Sequence, residues 1–192
     1  KNLGWIPIKG VDLKREGDSF RLNGKTFRVF NSRPLPEGKI KDGTNFSQDS
    51  RGNWYLNIAI DVEVATTKQR DINNGVGIDL GLKEFATLSS GKKIDAQNFY
   101  ASSQKKLATA QSAKKKRQVK AIHAKIANKR KDFHHKLSDR ITKEFDYIAV
   151  GNVNAAGLAR TSMAKSVLDA GWSSFRRLLA YKAVKHGAWY EE

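Results

Sequence analysis

An α/β domain preceded by a small antiparallel β module is the fold this sequence predicts, and three observations predict it. Short alternating apolar runs broken by turn residues occupy about the first 64 positions. A β-rich stretch from Gly75 to Ile94 then gives way to a long segment with helical periodicity. A β-branched run, Tyr147-Ile148-Ala149-Val150, leaves that segment as a strand leaves the helix of an α/β unit, and two further helical stretches follow it.

In the first module the runs are Trp5-Ile6-Pro7-Ile8, Phe20-Arg21-Leu22, Thr26 to Phe30 and Trp54 to Val62. Gly17-Asp18, Asn23-Gly24, Pro34 to Gly38 and Asp49 to Asn53 separate them. This is turn chemistry between half-buried strands, so a small antiparallel barrel or sheet is expected, with Asn23-Gly24 a tight hairpin. Residues 65–74 are polar and aperiodic and mark the boundary, giving a module over 1–70 and an α/β domain over 71–192. In the second, Gly75 to Leu80, Glu84 to Leu88 and Lys92 to Ile94 read as three strands in meander order. Between Ala101 and Phe145, Val119, Ile122, Ile126, Phe133, Leu137, Ile141 and Phe145 recur mostly three or four apart. One or two long helices follow from this spacing, with a break expected near Arg130 to Asp132. Gly151 to Gly157 reads as a loop, and Met163 to Ala170 and Trp172 to His186 as two helices, the latter with Phe175, Leu178, Leu179 and Ala183 on one face.

The chain has 192 residues, with 36 Lys and Arg against 19 Asp and Glu, a formal charge of +17. That excess calls for a polyanionic partner. It is concentrated in the helical segment, where residues 101–145 hold 14 basic and 3 acidic side chains. Solvated helix faces usually mix both signs, so Lys105, Lys106, Lys114, Lys115, Lys116, Arg117, Lys120, Lys125, Lys129, Arg130 and Lys131 are expected to contact phosphates. There is no cysteine, which excludes disulfides and thiolate zinc sites in these residues. Runs of about 18 apolar residues and a signal-peptide pattern are also missing, so no membrane partner is expected and a cytoplasmic protein is the default. The chain begins at Lys1 and stops directly after a strand-like approach, and it is expected to be a piece of a longer polypeptide. His134 and His135 point about 100° apart on a helix, cannot share a metal ion, and receive no role.

Asp79 closes a strand in which Val76 and Ile78 would face a core. From pattern alone it is a strand-end cap, a turn residue or a metal ligand. The segment Gly77-Ile78-Asp79-Leu80-Gly81-Leu82-Lys83-Glu84-Phe85-Ala86-Thr87-Leu88 resembles the TnpB/OrfB proteins of bacterial insertion sequences, relatives of the Cas12 effectors. So do Met163 to Trp172, Phe175-Arg176-Arg177 and Tyr181-Lys182, in the same order and spacing. Three strands, helix, strand, helices is also the order of an RNase H-like (RuvC) sheet. The resemblance implies a wedge-like β-barrel module followed by a RuvC-like nuclease domain. In that family three acidic residues hold two divalent ions that activate water and stabilise the leaving oxygen, with magnesium the expected ion. Asp79 matches the first acidic position, as catalytic residue and metal ligand.

The family's second acidic position falls in a run resembling apolar-apolar-Glu-Asp-Leu-Asn, and here the run is Ala149-Val150-Gly151-Asn152-Val153-Asn154. Gly151 stands where the Glu belongs and offers no side-chain ligand. Either a carboxylate arrives from elsewhere, from Glu191 or Glu192 in this chain or equally from residues beyond Glu192, or the lineage binds DNA without cutting it. The retained Asp79 favours the first. A solvated charged tail is the plain alternative for the two glutamates. The third acidic residue and a four-cysteine zinc ribbon would follow Glu192, so this segment alone is not expected to cleave. Trp172, Arg176 and Arg177, at a helix start, are candidates to contact a guide–target duplex, Trp172 equally a core residue. The function implied is that of a transposon-encoded, RNA-guided DNA endonuclease whose partners are a transposon-derived guide RNA and the target DNA. A nuclease-inactive RNA-guided regulator and a basic RNA-binding protein are the alternatives.

Overall fold

The structure is a computed structural model that describes residues 4–30, 34–62 and 70–192. The chain divides into two compact units, Lys1–Val64 and Ala65–Glu192. Residues 65–69 of the expected boundary segment, and Leu3, lie outside the described residues.

The first unit contains eight described strands, β1 (Trp5–Pro7), β2 (Leu13–Glu16), β3 (Ser19–Leu22), β4 (Lys25–Arg28), β5 (Lys39–Ile40), β6 (Asn45–Gln48), β7 (Trp54–Asn57) and β8 (Ile60–Asp61). Asn23 (φ 48°) and Gly24 (φ 77°) join β3 to β4 in the expected two-residue hairpin, whose two positive φ values suit these residue types. The expected barrel is not closed. The described strands hydrogen-bond as three separate antiparallel sheets, β2-β3-β4, β1-β6-β7 and β5-β8. The reason is visible at Ile58 and Ala59, which interrupt the strand expected from Trp54 to Val62. There the chain leaves β6 for β5. The Ala59 carbonyl accepts from the Lys41 amide (2.9 Å), and the Ala59 amide donates to the hydroxyl of buried Thr44 (3.1 Å). Phe20, Leu13 and Ile8 form this unit's own small core, flanked by Phe27, Phe46 and Leu56.

The second unit is mixed α/β. Its elements are β9 (Gly75–Leu80), β10 (Glu84–Leu88), β11 (Lys93–Asp95), α1 (Gln104–Ser112), α2 (Lys116–Glu144), β12 (Tyr147–Val150), α3 (Ala155–Leu158), α4 (Ala164–Ala170), α5 (Trp172–His186) and β13 (Trp189–Glu191). The sheet order is β11-β10-β9-β12-β13. β9, β10 and β11 form an antiparallel meander, whereas β12 and β13 run parallel to β9. One face of the sheet supplies Val76, Ile78, Leu80, Phe85, Leu88, Ile148 and Val150 to a core shared with Leu137, Ile141, Phe175 and Leu179 of α2 and α5. No helix of the described residues is long and apolar enough to cross a membrane.

The helical segment breaks earlier than the spacing suggested. Lys114 adopts φ 52° between α1 and α2, at the start of the cation run Lys114 to Arg117, whose like charges would repel one another within a continuous helix. Around Arg130 to Asp132 the helix is unbroken, because Ile126, Arg130, Phe133, His134, Leu137 and Ile141 lie on one stripe that packs inward. The expected loop from Gly151 to Gly157 instead contains α3, where the Asn154 side chain accepts from the Gly157 amide (2.8 Å) as an N-cap.

Gly171 ends α4 and begins α5 with φ 66°, and a Cβ there would lie 3.0 Å from Arg130 Cδ and 3.1 Å from His134 Cε1. Gly171→Ala is therefore expected to lose about 2 kcal/mol, from left-handed strain and contact with packed side chains. A urea titration comparing midpoints measures this, and a loss below about 0.5 kcal/mol would show that the turn relaxes freely.

Candidate functional site

Strict alternation along Gly75-Val76-Gly77-Ile78-Asp79-Leu80 puts Val76, Ile78 and Leu80 in the core and Asp79 on the opposite, exposed face of the sheet. Asp79 pairs across to Thr87 on β10. On its other side β12 runs in register, Ile148 with Val76 and Val150 with Ile78, and the Gly151 amide donates to the Ile78 carbonyl at 2.9 Å. Gly151 is thus Asp79's neighbour on this face. A Cβ built on Gly151 would lie 3.8 Å from Asp79 Oδ1, an ordinary contact distance. Asp79 and Gly151 line an open groove of about 640 Å³, together with Thr87, Ser89, Asn152, Glu191 and Glu192.

The two glutamates do not complete an acidic cluster with Asp79. Glu191 aligns with Ala149 and through it with Gly77, one rung away from Asp79 and two strands across, roughly 12 Å between Cα atoms. It accepts a hydrogen bond from the Tyr147 hydroxyl, which raises that tyrosine's pKa. Glu192 is held on the α5 side by Arg176 (3.1 Å) and the Tyr190 hydroxyl (2.6 Å). Burial, reinforced by that bond, pushes the Tyr190 hydroxyl up. No group of three His, Asp or Glu side chains able to hold a metal ion occurs among the described residues. These donors do not fit a two-metal centre, which needs several carboxylates around one point.

The proposed phosphate contacts divide into two groups. Lys105, Lys106, Lys114, Lys115, Lys116, Arg117, Lys120, Lys125, Lys129 and Lys131 are exposed along α1, the turn after it and α2. Arg177 is also exposed. Arg130 is only part exposed and bridges Asp169 at 2.9 Å. Arg176 has 14% of its side chain exposed and is engaged with Glu192. Trp172 is 2% exposed and belongs to the core, so its ring is not presented to a duplex.

Sequence reasoning missed what the Leu168-Asp169-Ala170-Gly171-Trp172 segment does. Asp169, 9% exposed, accepts from Arg130 and from the Tyr100 amide (2.8 Å), joining α4 to α2 and to the segment before α1. His134, 1% exposed, packs among Phe85, Phe133 and Phe175, and its Nε2 bonds the Ala170 carbonyl at 2.9 Å. Burial pulls its pKa down to about 4, so the imidazole is neutral at neutral pH. The available signal was an Asp two residues after a core Val and two before a helix-ending Gly.

Residues 57–162, more than half of the chain, match the OrfB_IS605 family, described as "Probable transposase". A "Putative RNA-guided DNA endonuclease" of Streptomyces pristinaespiralis is 33% identical over 172 residues, covering 83% of this chain and 41% of that protein. A "Putative RNA-guided DNA endonuclease InsQ" of Escherichia coli strain K12 is 30% identical over 207 residues, covering 93% and 51%. The chain spans about half the length of the curated relatives it matches. A solved structure titled "Cryo-EM structure of the Cas12f1-sgRNA-target DNA complex" aligns with a TM-score of 0.47 and 16% identity over 78% of this chain and 41% of that one. On the family match, this chain belongs to the TnpB/OrfB family of transposon proteins.

Proposed function

We propose that this chain is part of a transposon-encoded, RNA-guided DNA endonuclease, to which it contributes a basic helical surface for nucleic acid and one carboxylate, Asp79, of the cleavage centre. The observation that carries the reading is Asp79 itself, exposed on the sheet's central strand, on the face opposite the core and beside the parallel strand β12. The strand order, a three-strand antiparallel meander continued by two parallel strands, supports reading the second unit as an RNase H-like domain of the RuvC kind. The first unit is read as part of a wedge module. The exposed cations of α1 and α2 support a guide RNA and a target DNA as partners, since phosphate neutralisation supplies most non-specific affinity. Magnesium at Asp79 needs carboxylates beyond those the described residues bring there.

Gly151 favours a second reading, an RNA-guided DNA-binding protein that does not cut. The full-length protein, loaded with its RNA and supplied with magnesium, decides between them. Cutting of a matched target supports the endonuclease, and tight matched binding without cutting selects the second reading. A preference for its own structured RNA over random duplex of less than about tenfold would remove both.

A further inference from the structure

We propose that the groove between α2 and the segment after β11 seats one base of a single-stranded nucleic acid, with its flanking phosphates held at the two ends. The proposal rests on the nucleic-acid reading above and assigns it a place remote from the sheet's carboxylate face. The groove holds about 420 Å³. Its α2 wall is a single stripe, Lys129, Asp132, Phe133, Lys136, Leu137 and Arg140, spaced by three or one residues as neighbours on one helix face are. Phe99 comes from the facing segment, and its ring meets that of Phe133 edge-on with centroids 5.9 Å apart.

The chemistry is that of a nucleotide rather than of a core margin. Half-buried Phe99 and Phe133 with buried Leu137 make an apolar floor, on which any base can stack. Lys129 and Arg140 stand at the two ends, exposed and without an ion pair among the described residues. Eleven residues of helix separate them, about 16 Å, enough to place a phosphate on either side of a stacked base. Lys136 shares its charge with Asp132 at 2.8 Å, an exposed pair that solvent screens. Gln97 donates its amide to the Asp95 carbonyl (3.1 Å), which leaves its side-chain oxygen able to accept from a base edge. An acidic peptide could also meet Lys129 and Arg140, but Lys125, one turn before Lys129, extends the basic row along α2, as a continuous polyanion requires.

The test measures binding of the full chain to a fluorescein-labelled oligonucleotide of about 12 nucleotides, and to the same strand with abasic positions, at one fixed salt concentration near 0.1 M. The wild type is expected to bind the abasic strand about tenfold more weakly than the ordinary one. Phe99→Ala is expected to erase that difference, and the exposed pair Lys129→Gln with Arg140→Gln to weaken binding of both strands about tenfold. Should Phe99→Ala fail to fold by circular dichroism, the double variant and the wild-type comparison of strands still decide. Equal binding of both strands by the wild type, wild-type affinity in the double variant, or stronger binding of poly-glutamate than of either strand overturns the seat. A wild-type chain that binds no oligonucleotide removes the nucleic-acid reading as well, which separates the two failures.

Discussion

Asp169→Ala is expected to destabilise the second unit by about 3 kcal/mol or more, seen as a lowered urea midpoint with an unchanged slope. The carboxylate is almost wholly buried and satisfies two donors that come from distant parts of the chain, the Arg130 guanidinium and the Tyr100 amide. Removing it strands a part-buried cation with no replacement anion, and an unpaired buried charge costs far more than the pair itself contributes. Among the described residues the Arg130 Nε has no hydrogen-bond partner, so that nitrogen offers the guanidinium no alternative tie. Asp169→Asn is expected to recover part of the loss, because its amide oxygen still accepts from one of the two donors. Replacing both ends together, Arg130→Met with Asp169→Leu, should recover more than Asp169→Ala alone by leaving no unmatched charge. A loss under about 1 kcal/mol for Asp169→Ala would mean that water takes over both bonds and that the link is peripheral.

That link shows where the sequence is legible and where it is not. Alternation within Gly75 to Leu80 is local, so it displays which face Asp79 takes, and the period of Phe133, Leu137 and Ile141 equally displays the inward side of α2. The hairpin at Asn23-Gly24 is legible for the same reason, since its positive φ values are a property of two adjacent residues. The bond from Arg130 to Asp169 spans 39 positions, and nothing in either neighbourhood distinguishes an arginine aimed at a carboxylate from one aimed at a phosphate. Trp172 posed the same ambiguity, and burial resolved it toward the core. In the first unit the strands were readable but their partners were not. A side-chain hydroxyl, Thr44, captures the Ala59 amide and diverts the pairing that would have carried one sheet onward. The break at Lys114 was hidden because periodicity registers apolar positions and is blind to a run of like charges.

At the sheet face itself, Asp79→Ala in the full-length protein loaded with its RNA is expected to reduce target cutting at least a thousandfold, while matched binding changes less than about threefold. A carboxylate exposed on a β-strand supports little of the fold, so its loss should register in chemistry and not in assembly. If cutting survives within about tenfold, Asp79 is outside the cleavage centre and the proposed function loses its anchor. The companion change is Gly151→Glu in the 192-residue chain. Position 151 tolerates a Cβ, with its nearest neighbours at 3.6 and 3.8 Å, and the second of these is Asp79 Oδ1. A glutamate there sets two carboxylates side by side at the surface, a repulsion of about 1 kcal/mol near 4 Å in water, which a divalent cation would offset. Magnesium should therefore raise the melting temperature of Gly151→Glu by about 2 to 4 °C and leave the wild type within about 1 °C. Equal shifts in both proteins would mean that magnesium acts elsewhere, and that Asp79 and position 151 do not form a paired site despite their adjacency. A shift confined to the variant would show that glycine at 151 is what keeps Asp79 a single carboxylate on a sheet otherwise shaped to hold two.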